Sequence, residues 1–460
     1  MSLLLRIRLS LMMFLQYFVF GIWLPMLATY IGKDGLDFTL EQTGYMFAVY
    51  GMGAVLGPFI LGQVADRYLA TERVLGLAHM LGAGVLFMTA QFTTFWPVFL
   101  GMLLYCNLYM PTMGLTNSLA FRAVGEGNQS KFPGIRLFGT IGWIAAGLSF
   151  GAYLESDTLG FLKPFFEVMG AEADFPGFLD KWKSMSAPLL GSLHDLLGPP
   201  SVRDCIRLSG LVSLIYGLYC FTLPHTPPTP AKETDPIDKK SAVLECLELL
   251  GNRSFAVLSV VAALIGIMLA FYFACENPFL TYLGAAPSRV GAIMTIGQIA
   301  EIPAMMLVPL AVSKFGIKNT MLIGAGAWAT RFGLSAIGQP YWLMVASIAL
   351  HGFCFGFFFV VAQMYVDKSA SGDIKASAQS LLIFLIYGVG SILGSILSGY
   401  YRDYVKIPQG DGFVDNWQYV WAGPFALTII CMIIFALLFS DKDEIKRVAA
   451  GDSPSADPAA

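Results

Sequence analysis

Phe132-Pro133-Gly134-Ile135-Arg136-Leu137-Phe138-Gly139-Thr140-Ile141-Gly142-Trp143 opens an apolar run that meets no further charge until Glu155. A helix over this run is about 20 residues long, enough to cross a bilayer. Arg136, Thr140 and Trp143 stand at i, i+4 and i+7, so one helix face carries a cation, a hydroxyl and an indole. An ionisable group within a membrane span is costly and faces a cavity or a partner.

The chain around it has the same character. Of its 460 residues, 56% are hydrophobic and only 13% charged, against about 25% charged in a soluble domain. Mean hydropathy is +0.66. The apolar residues fall into blocks of roughly 20, which predicts an all-α polytopic membrane protein. A net charge of −3 excludes a nucleic-acid partner held by electrostatics. The cysteines, such as Cys106, Cys275, Cys354 and Cys431, lie inside apolar blocks without CxxC spacing, so they read as small packing residues. The first block, from about Ile7, has no signal-cleavage pattern and reads as a retained helix. No Ser/His/Asp set, metal cluster or phosphate loop stands at usable spacing, so neither an enzyme nor a cofactor is expected.

The patterning gives twelve candidate transmembrane helices. Helices 1–5 occupy residues 1–155, an external insertion 156–203, helix 6 residues 204–223, a Pro-rich cytoplasmic linker 224–253, helices 7–12 residues 254–440, and a cytoplasmic tail 441–460. An N-in, C-in arrangement puts more Lys and Arg on the cytoplasmic side than outside, as the positive-inside rule asks. The halves echo each other. Pro25 to Gly32 resembles Pro278 to Gly284, and Gly142, Gly147 and Gly151 resemble Gly390, Gly394 and Gly399. Both matches lie about 250 residues apart, which suggests two pseudo-symmetric six-helix halves. Glycines four apart, as in Gly147/Gly151 and Gly390/Gly394, predict close helix packing.

Gly62-Gln63-Val64-Ala65-Asp66-Arg67, after the second span, resembles the G-x-x-x-D-R signature of the major facilitator superfamily. The resemblance implies a conformational latch at Gly62, Asp66 and Arg67. Further stretches resemble the bacterial nucleoside:proton symporters: Phe14 to Trp23, Tyr109 to Asn117, Phe132 to Trp143, Leu223-Pro224-His225, Gln298 to Glu301, Phe315 to Asn319 and Ala376 to Gln379. That likeness implies alternating access, with a nucleoside and protons as partners and the bilayer as solvent. It also implies a monomer in the cytoplasmic (inner) membrane.

Residue by residue, it implies that Arg136, Thr140 and Trp143 on span five, Gln298 and Glu301 on span eight, and Phe355 on span ten line the pocket. The residues support this independently. Gln298 and Glu301 are one turn apart, and His351, Phe355 and Phe359 follow at four-residue steps. A nucleoside needs a ring for its base, an amide for the base edge, and charges or hydroxyls for the ribose. Glu301 and His351 are the candidate proton carriers. The chain departs from the family at Ala270 and Phe273, where an amide pair is usual, and at Gly356, where an acid is usual. Three other readings stay open: the same fold carrying a sugar or glycoside, an uncoupled facilitator, and a non-transporting membrane sensor.

Overall fold

The computed structural model describes residues 2–33, 35–125, 131–155, 175–228, 249–369, 375–409 and 412–440. Much of the linker, the first part of the external insertion and the tail 441–460 lie outside the described residues. The first half runs α1 (Leu3–Trp23), α2 (Leu40–Gly57), α3 (Thr71–Thr89), α4 (Phe95–Val124), α5 (Phe132–Leu154), α6 (Phe175–Leu197) and α7 (Asp204–Cys220). The second runs α8 (Arg253–Tyr282), α9 (Pro287–Ile337), α10 (Tyr341–Ser369), α11 (Ala378–Val405) and α12 (Trp417–Leu438). A short exposed hairpin pairs Ile407–Gln409 with Gly412–Val414; the sequence reading placed no strand there.

Nine helical stretches among the described residues are long and apolar enough to cross a membrane. The 51-residue α9 is interrupted at Gly316, whose φ of 77° is left-handed and breaks the helical path. Helices α3 and α7, read as spans from the sequence, form but lie outside those nine. The first carries Glu72, Arg73 and His79, and the second has 17 residues with Asp204 and Arg207 near its start. Helix α5 begins with Pro133 in its first turn, where a missing N–H costs nothing, and stops where Glu155 turns extended. The helix thus fills the apolar run read from the sequence between Phe132 and Glu155. In the insertion 156–203, α6 reaches back through His194, whose Nε2 lies 3.2 Å from the Tyr153 carbonyl oxygen.

The chain divides into two compact units. The first comprises residues 1–231, 271–298 and 395–404. Leu9 and Met12 of α1, Leu75 of α3, Leu119 of α4, Ile135 of α5 and Tyr216 of α7 form its apolar core. Helix α5 lies on α1 with backbones nearly touching. A Cβ at Gly142 would run into the Phe14 carbonyl, and one at Gly21 would stand 2.9 Å from Ala146 Cβ. The parts of α8, α9 and α11 in this unit are tied to it by polar bonds. Asn277 Nδ2 donates to the Pro25 carbonyl (2.6 Å), and its Oδ1 accepts from Thr29 (2.8 Å). Tyr400 Oη donates to Glu41 (2.6 Å), and Ser288 donates to Glu155.

The second unit comprises residues 232–270, 299–394 and 405–460. Gly390 and Gly394 of α11 close on α8, a Cβ there meeting Gly266 Cα at 3.0 Å and Ala270 Cβ at 2.8 Å respectively. In the first unit Gly147 stands likewise over Gly291 and Thr295 of α9. Gly147, Gly390 and Gly394, three of the glycines predicted to permit close helix packing, therefore do so. All six cysteines among the described residues are buried and free, as expected of packing residues.

Replacing Gly142 by Val is expected to cost about 1–3 kcal/mol, because a backbone carbonyl cannot move aside as a side chain can. Thermal melting in detergent checks it. The midpoint should fall by several degrees, whereas Gly84→Ala, whose Cβ meets nothing within 4 Å, should leave it unchanged or slightly higher.

Candidate functional site

The α5 face forms a cluster in the first unit. Arg136 lays its guanidinium carbon 4.1 Å above the centre of the Tyr17 ring of α1. A half-buried guanidinium on an aromatic face is favoured by about 0.5–2 kcal/mol. Two turns on, Trp143 meets the Phe20 ring edge-on at 4.9 Å, and Phe20 stacks on Tyr50 (5.7 Å) and Tyr109 (5.5 Å). Thr140 lies half-buried between them on α5. The predicted face thus meets a band of rings, and α5 itself brings one cation and one threonine hydroxyl to it. Gln298 belongs to the same unit. Its Oε1 is buried and takes no hydrogen bond from any described residue.

A second cluster belongs to the other unit. His351, Phe355 and Phe359 of α10 follow one another with ring centres 6.4 and 5.8 Å apart, and Phe359 reaches Tyr387 of α11 at 6.3 Å. The four-residue spacing therefore does put these rings on one face. The helix around them is not regular α, however: Cys354–Val360 and Phe384–Gly390 are π-helical, a widening common at functional positions. Glu301 is half-buried on α9 beside α10. Gly352 makes that approach possible: a Cβ there would strike the Ala300 carbonyl and stand 2.8 Å from the Glu301 amide nitrogen.

His351 is buried, and Arg331 Nη1 lies 3.4 Å from its Nδ1. Arginine has no acceptor, so that ring nitrogen presents its lone pair and the imidazole is neutral here. Arg331 itself is 1% exposed, and the ring of His351 also meets Trp328 edge-on at 6.1 Å.

For the proposed latch, Gly62 ends a π-helical turn, Pro58–Gly62, and Arg67 is exposed at the end of the helix Gln63–Arg67. The Asp66 side chain lies outside the described residues. The departures from the family pattern stand in apolar surroundings. Ala270 packs against α11 at Gly394, and a Cβ at Gly356 would stand 3.5 Å from Met305 Sδ and from Val308 Cγ2. Sequence reasoning missed Tyr17, Phe20 and Tyr50. The only signal for Tyr17 and Phe20 was the aromatic density of Phe14 to Trp23, which does not say which rings meet α5, and Tyr50 had none.

A multi-pass helical fold with apolar clusters that each hold isolated polar groups defines a membrane transporter rather than an enzyme. The chain belongs to the nucleoside H+ symporter family, whose sequence profile matches residues 1–160 and 188–444. It is 32% identical over 454 residues to a putative nucleoside transporter, YegT, of Escherichia coli, spanning 97% of this chain and 96% of that one. It is 30% identical over 462 residues to the xanthosine permease of the same organism, with 96% and 98% covered. The crystal structure of the nucleoside transporter NupG superposes with a TM-score of 0.73 at 28% identity, covering 94% of this chain and 98% of that one. A point mutant of that transporter superposes with a TM-score of 0.76, also at 28% identity, covering 95% of this chain and all of that one.

Tyr17→Leu is expected to raise the half-saturating solute concentration about 5-fold by releasing Arg136. Tyr17→Phe, which keeps the ring, should stay within about twofold. Concentration-dependent uptake in proteoliposomes measures both.

Proposed function

We propose that this protein imports nucleosides by proton symport, through alternating access of twelve transmembrane helices arranged as two six-helix halves. Helices 1–6 of the first half are interrupted by the external segment 156–203. The linker 224–253 and both termini lie in the cytoplasm, and the protein acts as a monomer in the inner membrane. The observation that carries this proposal is the α5 face. A membrane helix holding Arg136 over an aromatic ring, with Thr140 and Trp143 on the following turns, has the groups that ribose hydroxyls and a planar base require.

The remaining roles follow from chemistry. Gln298 Oε1, with no protein donor among the described residues, accepts from the base edge. Phe355 and Phe359 supply further stacking surface. Glu301 carries the proton: a half-buried carboxyl that binds a proton from one side and loses it to the other couples the gradient to the change of access. His351 presents a neutral ring in this state and acts as a hydrogen-bonding pocket residue. Asp66 and Arg67 form the cytoplasmic latch with Gly62. The names of the relatives, which include nucleoside and xanthosine carriers, support the solute class.

Proteoliposome uptake of uridine, cytidine, adenosine, xanthosine and glucose, with and without an inward proton gradient, tests this. At least one nucleoside should accumulate above its external concentration, and a protonophore should abolish the accumulation. Uptake of glucose alone, or accumulation indifferent to the gradient, would overturn it. Glu301→Gln should lose gradient-driven accumulation at least tenfold yet still exchange labelled for unlabelled nucleoside. Full gradient-driven uptake by that variant would remove Glu301 from coupling.

A further inference from the structure

Behind the Arg136–Tyr17 pair lies a buried polar network that the transport roles above do not use. Gln16, one residue before Tyr17 in α1, is fully buried. Its Nε2 donates to Thr112 Oγ1 of α4 at 2.8 Å. Thr112 gives its own proton to the Tyr109 carbonyl (2.5 Å), so it can only accept from Gln16, and the amide has one orientation. The Gln16 Oε1 therefore faces His79 Nε2 of α3 at 3.2 Å, with the Thr116 hydroxyl also 3.2 Å away. A carbonyl oxygen only accepts, so His79 Nε2 carries a proton. His79 Nδ1 meets Ser213 Oγ of α7 at 3.0 Å, where the serine proton is shared with the His79 carbonyl at 3.1 Å. Finally, Tyr109 Oη donates to the backbone carbonyl of Gln16 at 2.5 Å.

Every partner in this chain of bonds is neutral, and all are buried. A polar network sealed from water tolerates little displacement, because each broken bond strands a polar group in an apolar interior. It joins α1, α3, α4 and α7, and it grips α1 both by the Gln16 side chain and by its backbone. Successive residues of a helix point about 100° apart. Fixing Gln16 against α3 and α4 therefore fixes the direction of Tyr17 towards Arg136, and of Phe20, one turn on, towards Trp143.

We propose that His79, in its neutral Nε2–H form, is a positioning residue for solute recognition. Through Gln16 it sets the rotation and height of α1, so that Tyr17 lies beneath Arg136. This rests on the assignment of the Arg136 face to the solute. It makes the solute affinity of α5 depend on a helix, α3, that contributes none of the candidate solute groups.

The test compares His79→Leu, His79→Gln and Ser213→Ala. Three readouts are taken on each: KM and Vmax for uridine and adenosine uptake in proteoliposomes, thermal melting, and hydrogen–deuterium exchange over residues 14–20 in solute-free protein. His79→Leu should raise KM at least fivefold with Vmax within twofold, and should speed exchange over 14–20 at least tenfold. His79→Gln, whose amide can donate to Gln16 and accept from Ser213, should restore both to within twofold of the unaltered protein. It should also leave the pH profile of KM unchanged between pH 5.5 and 8. Ser213→Ala removes one hydroxyl and should move KM and exchange in the same direction by less; it serves as the test if His79→Leu does not fold. A lowered melting midpoint with KM and exchange unchanged would make the network purely structural and overturn the proposal. A pH profile lost in His79→Gln would also overturn it, by making His79 a proton carrier. If the unaltered protein takes up neither nucleoside, the solute assignment fails, while exchange over 14–20 still decides whether His79 holds α1.

Discussion

The approach of α5 to α1 at Gly142 is the contact on which the first-unit site depends. With no Cβ there, the α5 backbone rests on the Phe14 carbonyl. Only at that spacing does Arg136 reach over the Tyr17 ring and Trp143 meet Phe20. Lipid offers no hydrophobic drive for one helix to join another, so close van der Waals approach at small residues does that work. A larger residue at 142 would part the helices and, with them, the cation from its ring. The polar bonds of Gln16 act on the same pair from the opposite side of α1. One helix is thereby held by shape on one face and by hydrogen bonds on another.

The need for partners governs polar groups elsewhere. Asp204, fully buried, accepts from Tyr153 Oη (2.9 Å), the Ser201 amide (2.9 Å) and Arg207 (3.1 Å). Glu72 accepts from the Thr226 amide at 2.9 Å and faces His225 Nδ1 at 2.7 Å, which ties the start of the linker to α3. A carboxylate supplied with several donors is a structural anchor, since breaking any one bond leaves a buried charge short of partners. Gln298 Oε1 differs in having no donor among the described residues. That contrast separates a carboxylate that builds the fold from an amide oxygen whose acceptor capacity the described residues leave open.

The positions where the chain leaves its family pattern are packed. Ala270 fills the approach of α11 to α8, and Gly356 lies against Met305 and Val308 within a π-helical turn. A polar side chain at either place would meet methyl groups and thioether. Small residues at 270 and 356 are therefore consistent with their surroundings.

The sequence by itself determined the all-helical membrane class, the close-packing glycines Gly147, Gly390 and Gly394, and the face of α5 that carries Arg136, Thr140 and Trp143. Each of these is a periodic or compositional property of one segment, and helical periodicity reports which residues share a face. It also showed His351, Phe355 and Phe359 in line, although not the π-helical widening around them. Only the tertiary structure decided what each face meets. Tyr17 beneath Arg136, Gln16 with His79 and Thr112, Asn277 with Thr29, and Arg331 beside His351 each join different helices. A lone polar residue in an apolar run advertises that it needs a partner but does not name it. The partner is chosen by how helices approach, and that is set jointly by every small residue along both of them.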